Sequence, residues 1–165
     1  MKHPKIVVMG VSGSGKSLVG QRLGEQLGVP FFDADDYHSR ANVEKMANGI
    51  PLTDADREGW LADLADLIRQ QDGLVLACSA LKQVYRDQLR TGDPELQFVY
   101  LKGSFDTIWS RHAQRRDHYF NGQSMLESQF QSLEEPGPEE AIIVDIAQTP
   151  EQVLQQCLTR LEAST

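Results

Sequence analysis

Five short apolar segments recur along the chain, and most of the sequence between them carries apolar residues at helical spacing. The segments cover residues 6–9, 31–33, 74–78, 98–101 and 141–144. Short, continuously apolar runs indicate strands buried on both faces of a sheet. Their alternation with helices predicts an α/β fold, a five-stranded parallel sheet with helices on both faces. No repeat or composition break divides the 165 residues, so we expect a single domain over 1–165.

Four stretches have the period of an amphipathic helix. The first ends at Gly28, the second spans about residues 54–71, and the third ends before Gly92. The last begins at Thr149, which forms a capping-box signature with Gln152. The residues predicted to face the core are Leu18, Val19, Leu23 and Leu27; Trp60, Leu61, Leu64, Leu67 and Ile68; Leu81, Val84, Tyr85 and Leu89; and Val153, Leu154, Cys157, Leu158 and Leu161.

The first apolar segment leads directly into a glycine-rich loop that opens the first helix. This loop matches the phosphate-binding pattern G-x-x-x-x-G-K-[ST] in the strand–loop–helix context that the motif requires. Its glycines let backbone N–H groups face phosphate oxygens, and the helix N-terminus adds positive potential. Lys16 is predicted to reach the β- and γ-phosphates of a nucleoside triphosphate, and Ser17 to ligate Mg²⁺. The predicted nucleotide-binding residues are Gly10, Val11, Ser12, Gly13, Ser14, Gly15, Lys16 and Ser17.

Polar side chains follow several of the other predicted strands. Because parallel strands end at one edge of the sheet, we expect Asp33, Asp35, Ser79 and Lys102 to lie beside the glycine-rich loop. Asp33 and Asp35 are two positions apart on an extended segment and therefore face the same side. We assign Asp33 to Mg²⁺, together with Ser17, and Asp35 to the attacking hydroxyl of an acceptor. The alternative is that both aspartates only cap the following helix.

Composition narrows the classes of partner. The net charge is −8 and the pI is near 4.9, which argues against a nucleic-acid partner. No apolar stretch approaches membrane-spanning length, so we expect no membrane association. The two cysteines, Cys78 and Cys157, lack metal-ligand spacing and are expected to be reduced thiols of a cytoplasmic protein.

Two other kinds of nucleotide site do not fit. A dinucleotide fingerprint needs glycine where this chain has Ser12. Residues 56–59 match the D-x-x-G string of GTPases, but they start a polar helix, and the chain has no N-K-x-D motif. A switch GTPase is therefore disfavoured.

Residues 111–134 break the strand–helix alternation and begin with a basic cluster, Arg111, Arg115 and Arg116. Positive charge concentrated in an acidic chain predicts a helical lid that closes over phosphates, with Arg111 and Arg115 contacting ATP during transfer. The alternative is a solvated helical hairpin with ordinary surface arginines.

The chain resembles the gluconate kinases, relatives of the shikimate kinases with a P-loop kinase fold of the nucleoside-monophosphate-kinase-like type. The resemblance rests on residues 9–17, 33–38, 42, 44–46, 49–57, 60–61, 78–82, 85–86, 101–103, 118, 128–130 and 133–134. The chain departs from the family pattern at Ala34, Ser39 and Gly59, and in a stretch between His118 and Ser128 that is one residue longer than expected.

The resemblance implies ATP-dependent phosphorylation of D-gluconate at its 6-hydroxyl, with Mg²⁺, and it implies a homodimer. The remaining alternatives are a shikimate or nucleoside-monophosphate kinase of the same fold and a non-catalytic nucleotide-binding regulatory module. The turn Cys78-Ser79-Ala80 disfavours shikimate, since the shikimate kinases have a glycine-rich turn there.

Gluconate carries one carboxylate and a row of hydroxyls, so its pocket needs a cationic fork and several hydrogen-bonding groups. The candidates for the carboxylate are Arg57, which we favour, Lys82 and Arg86. The candidates for the hydroxyls are Asp35, His38, Asn42 and Ser79, with a purely structural role left open for His38. The resemblance alone adds His118 and Gln129.

Overall fold

Five parallel strands form one sheet at the centre of the protein. In this computed structural model, which describes residues 3–113 and 123–163, they are β1 (Lys5–Met9), β2 (Phe31–Asp33), β3 (Leu74–Ala77), β4 (Gln97–Lys102) and β5 (Ile142–Asp145). The order across the sheet is β2-β3-β1-β4-β5, and every neighbouring pair is parallel. All five predicted strands are confirmed. Because β1 is central, the loop that follows it opens in the middle of the carboxyl edge.

Seven α-helices surround this sheet within the described residues. They are α1 (Lys16–Leu27), α2 (Arg40–Ala47), α3 (Asp54–Gln70), α4 (Gln83–Arg90), α5 (Phe105–Ala113), α6 (Gln123–Ser132) and α7 (Pro150–Ala163). A 3-10 turn, Ala34–Tyr37, follows β2. None of the helices in the described part of the chain is long and apolar enough to span a bilayer.

The strands divide the protein into two hydrophobic cores, one on each face of the sheet. Ile6 and Val8 face the first core with residues of α1, α5, α6 and α7, whereas Val7 and Met9 face the second with residues of α3 and α4. All four side chains are at most 1% exposed. This alternation confirms the predicted three-layer arrangement, since helices cover the central strand on both faces of the sheet.

Helix boundaries and faces agree with the sequence in most places. The capping box of α7 is present, with Thr149 Oγ1 accepting from Gln152 N at 3.1 Å and Gln152 Oε1 accepting from Thr149 N at 3.0 Å. The predictions for Leu18 and Val84 are wrong, since these side chains are 43% and 54% exposed. In each case the next residue in the helix faces the core. One residue corresponds to about 100° of rotation around the helix axis.

Candidate active site

A cavity of about 630 Å³ lies beyond the carboxyl ends of the strands. It is lined by the glycine-rich loop, the segments after β2 and β3, the start of α3, and α6. The sequence-predicted residues that line it are Ser12, Lys16, Ser17, Asp33, Asp35, His38, Arg57, Ser79, Lys82 and Gln129. The fold therefore gathers onto one surface groups that are up to 117 positions apart in the chain.

The glycine-rich loop has backbone conformations and close contacts that require glycine. Gly10 and Gly15 have φ of 154° and 93°, and a Cβ at Gly10 would lie 2.6 Å from Ser14 Oγ and 3.0 Å from Leu101 O. Glycine is therefore needed at Gly10 for close packing. Ser14 Oγ is buried and has no hydrogen-bond partner in the described part of the structure. An orphaned hydroxyl inside such a loop fits a phosphate oxygen as its partner.

The Lys16 ammonium lies between this loop and the strand-end carboxylates. Burial lowers the pKa of Lys16, and the charges of Asp35 and Asp33 partly oppose that shift. Desolvation of a cation is compensated when an anion binds beside it. A triphosphate in the loop would supply that anion.

Ser17 and Asp33 meet at the base of the cavity. Ser17 Oγ donates to Asp33 Oδ2 at 3.0 Å, and Asp33 Oδ1 accepts from Asp35 N at 3.0 Å. Asp33 thus caps the 3-10 turn and also faces the loop. No group of three or more His, Cys, Asp or Glu side chains gathers as a metal site in the described residues. One hydroxyl and one carboxylate fit Mg²⁺, which retains waters and takes further oxygens from phosphates.

Asp35 has no capping role, and its side chain opens into the cavity. The side chain is 79% exposed, and Asp35 Oδ1 lies 3.8 Å from His38 Nε2. The enclosing walls raise the pKa of Asp35 by desolvation, while the Lys16 ammonium lowers it. The exposed carboxylate can therefore meet a ligand that enters the cavity. The capping alternative thus describes Asp33 in part and Asp35 not at all.

His38 is fixed by its neighbours and kept neutral. Its ring stacks on Trp60 with centroids 4.0 Å apart, and its Nδ1 lies 3.4 Å from Asn42 Nδ2. Desolvation, and then the charge of Arg57, lower the pKa of His38 to about 4. Because the Asn42 amide donates to Nδ1, the neutral ring carries its proton on Nε2, towards Asp35.

Asn42 does not line the cavity, so its predicted contact with an acceptor hydroxyl is corrected. The side chain is buried, and Nδ2 donates to Asp56 O at 2.8 Å as well as to His38. The buried amide is thus occupied by holding α2, α3 and the His38 ring together.

Two candidates for the acceptor carboxylate lie on one wall of the cavity. Arg57 Nη1 donates to Leu52 O at 2.7 Å and to Tyr85 Oη at 3.2 Å. Lys82 Nζ donates to Asp54 Oδ1 at 3.2 Å, and the Tyr85 hydroxyl donates to the same oxygen. These bonds, Tyr85 foremost, lower the pKa of Asp54. Sequence reasoning missed Asp54 as a site residue and treated Tyr85 only as a core residue. Helical periodicity identifies a buried ring, but it does not indicate which groups the ring's hydroxyl contacts.

Three further predicted residues lie away from the cavity. Arg86 is 1% exposed and bonds to protein groups only, so its predicted contact with substrate is corrected. Arg111 Nη2 donates to Ile146 O at 2.5 Å. Lys102 pairs with Glu135 at 3.3 Å instead of facing the loop.

α6 brings Gln129 to the glycine-rich loop, where Gln129 Oε1 accepts from Ser12 N at 2.6 Å. The helix is held in place by Leu126, which is 1% exposed, and by Phe130, whose ring packs edge-on against Phe105 at 5.6 Å. The part of the predicted lid that includes Arg115, Arg116 and His118 falls outside the described residues.

Comparison with known proteins gives consistent matches over almost the whole chain. A family model described as Shikimate kinase matches residues 12–162. The chain is 49% identical over 158 residues to the thermoresistant gluconokinase of Escherichia coli, covering 92% of this chain and 90% of that protein. It is 45% identical to a gluconokinase of Gluconobacter oxydans, covering 99% of this chain and 94% of that protein. The crystal structure of a gluconokinase from Sinorhizobium meliloti matches with a TM-score of 0.91 at 42% identity, covering 98% and 93%.

Proposed function

The chain belongs to the shikimate kinase family and, within it, to the gluconokinases, and on that premise we propose that it transfers the γ-phosphoryl group of ATP to the 6-hydroxyl of D-gluconate. The observation that carries the proposal is the position of Asp35, whose carboxylate opens into the same cavity as the phosphate loop. No observation on the described residues favours a shikimate or nucleotide acceptor, or a module without turnover.

The phosphate end of the site uses groups that exist before ATP binds. We assign the loop amides and Ser14 Oγ to phosphate oxygens, and Lys16 to the β- and γ-phosphates. Ser17 and Asp33, already 3.0 Å apart, would hold Mg²⁺, which neutralises charge on the transferring group. The orphaned Ser14 hydroxyl and the desolvated Lys16 support this assignment.

At the acceptor end, Asp35 is assigned to the attacking hydroxyl. Phosphoryl transfer requires little base strength, so a carboxylate that orients the oxygen and takes its proton late is sufficient. The neutral His38 would donate from Nε2 to a neighbouring substrate hydroxyl. Ser79 and Gln129 line the same space and are assigned to further hydroxyls.

Arg57 is assigned to the gluconate carboxylate, with Lys82 beside it. Arg57 uses only Nη1 in the hydrogen bonds of the described structure, which leaves Nη2 and Nε for a carboxylate in fork geometry. The resemblance also assigns His118 to substrate, and the basic cluster of the predicted lid assigns Arg111 and Arg115 to ATP. Arg111 would have to exchange its bond to Ile146 O for the nucleotide.

Two expectations complete the proposal. Both cysteines are free and buried, which supports action in a reducing compartment such as the cytoplasm. The homodimer implied by the resemblance stays a prediction, and sedimentation of the purified chain tests it.

A coupled ADP-release assay tests the acceptor. Gluconate, shikimate, AMP and glucose are offered with ATP and Mg²⁺, and the product formed from gluconate is identified by NMR. We expect turnover with gluconate and a phosphorus coupling at C6. Preferential turnover of shikimate or AMP, or none with any acceptor, would contradict the proposal. Arg57→Lys should raise the KM for gluconate, because a point charge replaces the fork.

A further inference from the structure

Ala80 has a backbone conformation that ordinary residues avoid. Its φ is 46°, and no other non-glycine residue in the described ranges has a positive φ. An L-residue in this region carries an energetic penalty, and it persists only where its surroundings impose the conformation. Ala80 follows Ser79, which lines the cavity, and Ser79 O accepts from Gly10 N at 3.3 Å. The turn is therefore part of the wall between the phosphate loop and the acceptor.

Arg86 is placed to impose this conformation. Its Nη1 donates to Ala80 O at 2.8 Å, its Nη2 to Glu134 O at 2.9 Å, and its Nε to Glu140 Oε2 at 2.9 Å. The side chain is 1% exposed, so a break in any of these bonds would leave a buried charged group unsatisfied. The planar guanidinium, held at three points, fixes the direction of the Ala80 carbonyl.

A second set of bonds ties the other end of the turn to the segment after α6. Glu134 N donates to Leu81 O at 2.7 Å, and Glu134 Oε1 accepts from Gln83 N at 3.0 Å. Lys82, which lines the cavity, lies between Leu81 and Gln83 in the chain. Residues 79–83 are therefore held in one conformation by Arg86 and Glu134.

We propose that Arg86 is a positioning residue for binding of the acceptor. Arg86 holds Ala80 in the left-handed conformation, and this conformation places Ser79 and Lys82 against the substrate. The identity of that acceptor rests on the proposed function. In this role Arg86 never touches gluconate. Without the Arg86 hydrogen bonds, which we call the clamp, residues 79–83 relax to conformations that are ordinary for alanine. Only the fraction of protein molecules that keeps Ala80 left-handed then binds the acceptor.

Arg86→Lys keeps the charge but cannot reach three acceptors at once. We expect the KM for gluconate to rise about tenfold, as the left-handed penalty reduces the binding-competent fraction. The KM for ATP should stay unchanged. Adding Ala80→Gly should reverse most of the rise, because glycine adopts a positive φ without that penalty.

Arg90→Lys is the matched control. Arg90 lies on the same helix and its Nη2 donates to the same carboxylate, Glu140, at 2.6 Å, but its other bond goes to Asp87. We expect it to lower thermal stability and leave both KM values unchanged. If Arg86→Lys does not fold, Glu140→Gln serves instead, with a smaller rise in the KM for gluconate.

Hydrogen exchange without substrate separates this proposal from the proposed function. Arg86→Lys should speed amide exchange in residues 79–83, and Arg90→Lys should not, whichever acceptor the protein uses. A wild-type protein inactive on gluconate would therefore overturn the function but not the clamp. Equal KM values in wild type and Arg86→Lys, a parallel rise for ATP and gluconate, or no rescue by Ala80→Gly would each overturn the positioning role.

Discussion

At the scale of single residues, the carboxylates of Asp33 and Asp35 make different contacts although they are only two positions apart. Both oxygens of Asp33 are engaged, by Ser17 and by the Asp35 backbone, whereas Asp35 opens into the cavity. Asp35→Asn should lower kcat on the order of 10²–10⁴-fold at saturating Mg²⁺, because the amide cannot accept the proton. Steady-state kinetics with gluconate and ATP check this.

Asp33→Asn is the matched comparison. It should raise the Mg²⁺ concentration needed for half-maximal rate and leave the KM for gluconate unchanged, since the amide is a weaker ligand for a hard cation. If both variants kept wild-type kinetics and lost only thermal stability, the assignments of Asp33 to Mg²⁺ and of Asp35 to the attacking hydroxyl would both be wrong.

His38 gives a pH dependence of stability. Its pKa falls from 6.5 to about 4 on folding, so the unfolded chain binds the proton more readily. The contribution of the neutral ring is therefore fully present above pH 6.5 and is lost as the pH falls towards 4. The free energy of unfolding should therefore fall by about 2 kcal/mol between pH 7 and pH 5 on account of His38. Denaturant unfolding at both pH values should show a smaller loss in His38→Gln, and an unchanged one in the exposed control His3→Gln.

At the scale of elements, two helical glycines differ in what surrounds them. Gly59 is an exposed residue of α3, and a Cβ added there would meet nothing within 4 Å. A Cβ added at Gly20, in α1, would lie 2.6 Å from the Phe31 ring. Gly59→Ala should therefore stabilise the protein by about 0.5–1 kcal/mol, since alanine favours helix. Gly20→Ala should destabilise it, because the added methyl group would overlap the Phe31 ring, which would have to move. Thermal unfolding of the pair measures both, and a lower midpoint for Gly59→Ala would contradict the argument.

The elements also mark how far the sequence could be read. The strands and the loop at residues 10–17 were predictable because local pattern determines them: continuous apolar runs, and glycines before a lysine. Arg86 and Asn42 were misassigned because nothing local distinguishes a buried, fully bonded polar side chain from one that faces a ligand. Their partners, such as Glu140 and Asp56, lie 54 and 14 positions away, and only the fold brings them together.

At the scale of the whole molecule, one segment connects the phosphate loop with the acceptor wall. Gln129 bonds to Ser12, and five positions later Glu134 bonds to Leu81. Both lie in the C-terminal part of the predicted lid, residues 111–134, and its first residue, Arg111, donates to Ile146 O just after β5. These bonds attach both ends of the predicted lid to the rest of the protein, and the bonds of Gln129 and Glu134 attach its second end to the walls of the active site.

The lid prediction follows from those attachments and from the charge of the segment. With ATP bound, Arg115 and its neighbours can neutralise phosphate charge only by covering the nucleotide, which also excludes water. Trypsin should therefore cut between about Arg111 and Glu134 in the free protein, and much more slowly with a non-hydrolysable ATP analogue, Mg²⁺ and gluconate. Lys16→Met, which weakens phosphate binding, should lose this protection under the same conditions. Equal cleavage of the wild type with and without ligands would show that the segment is an ordinary surface hairpin.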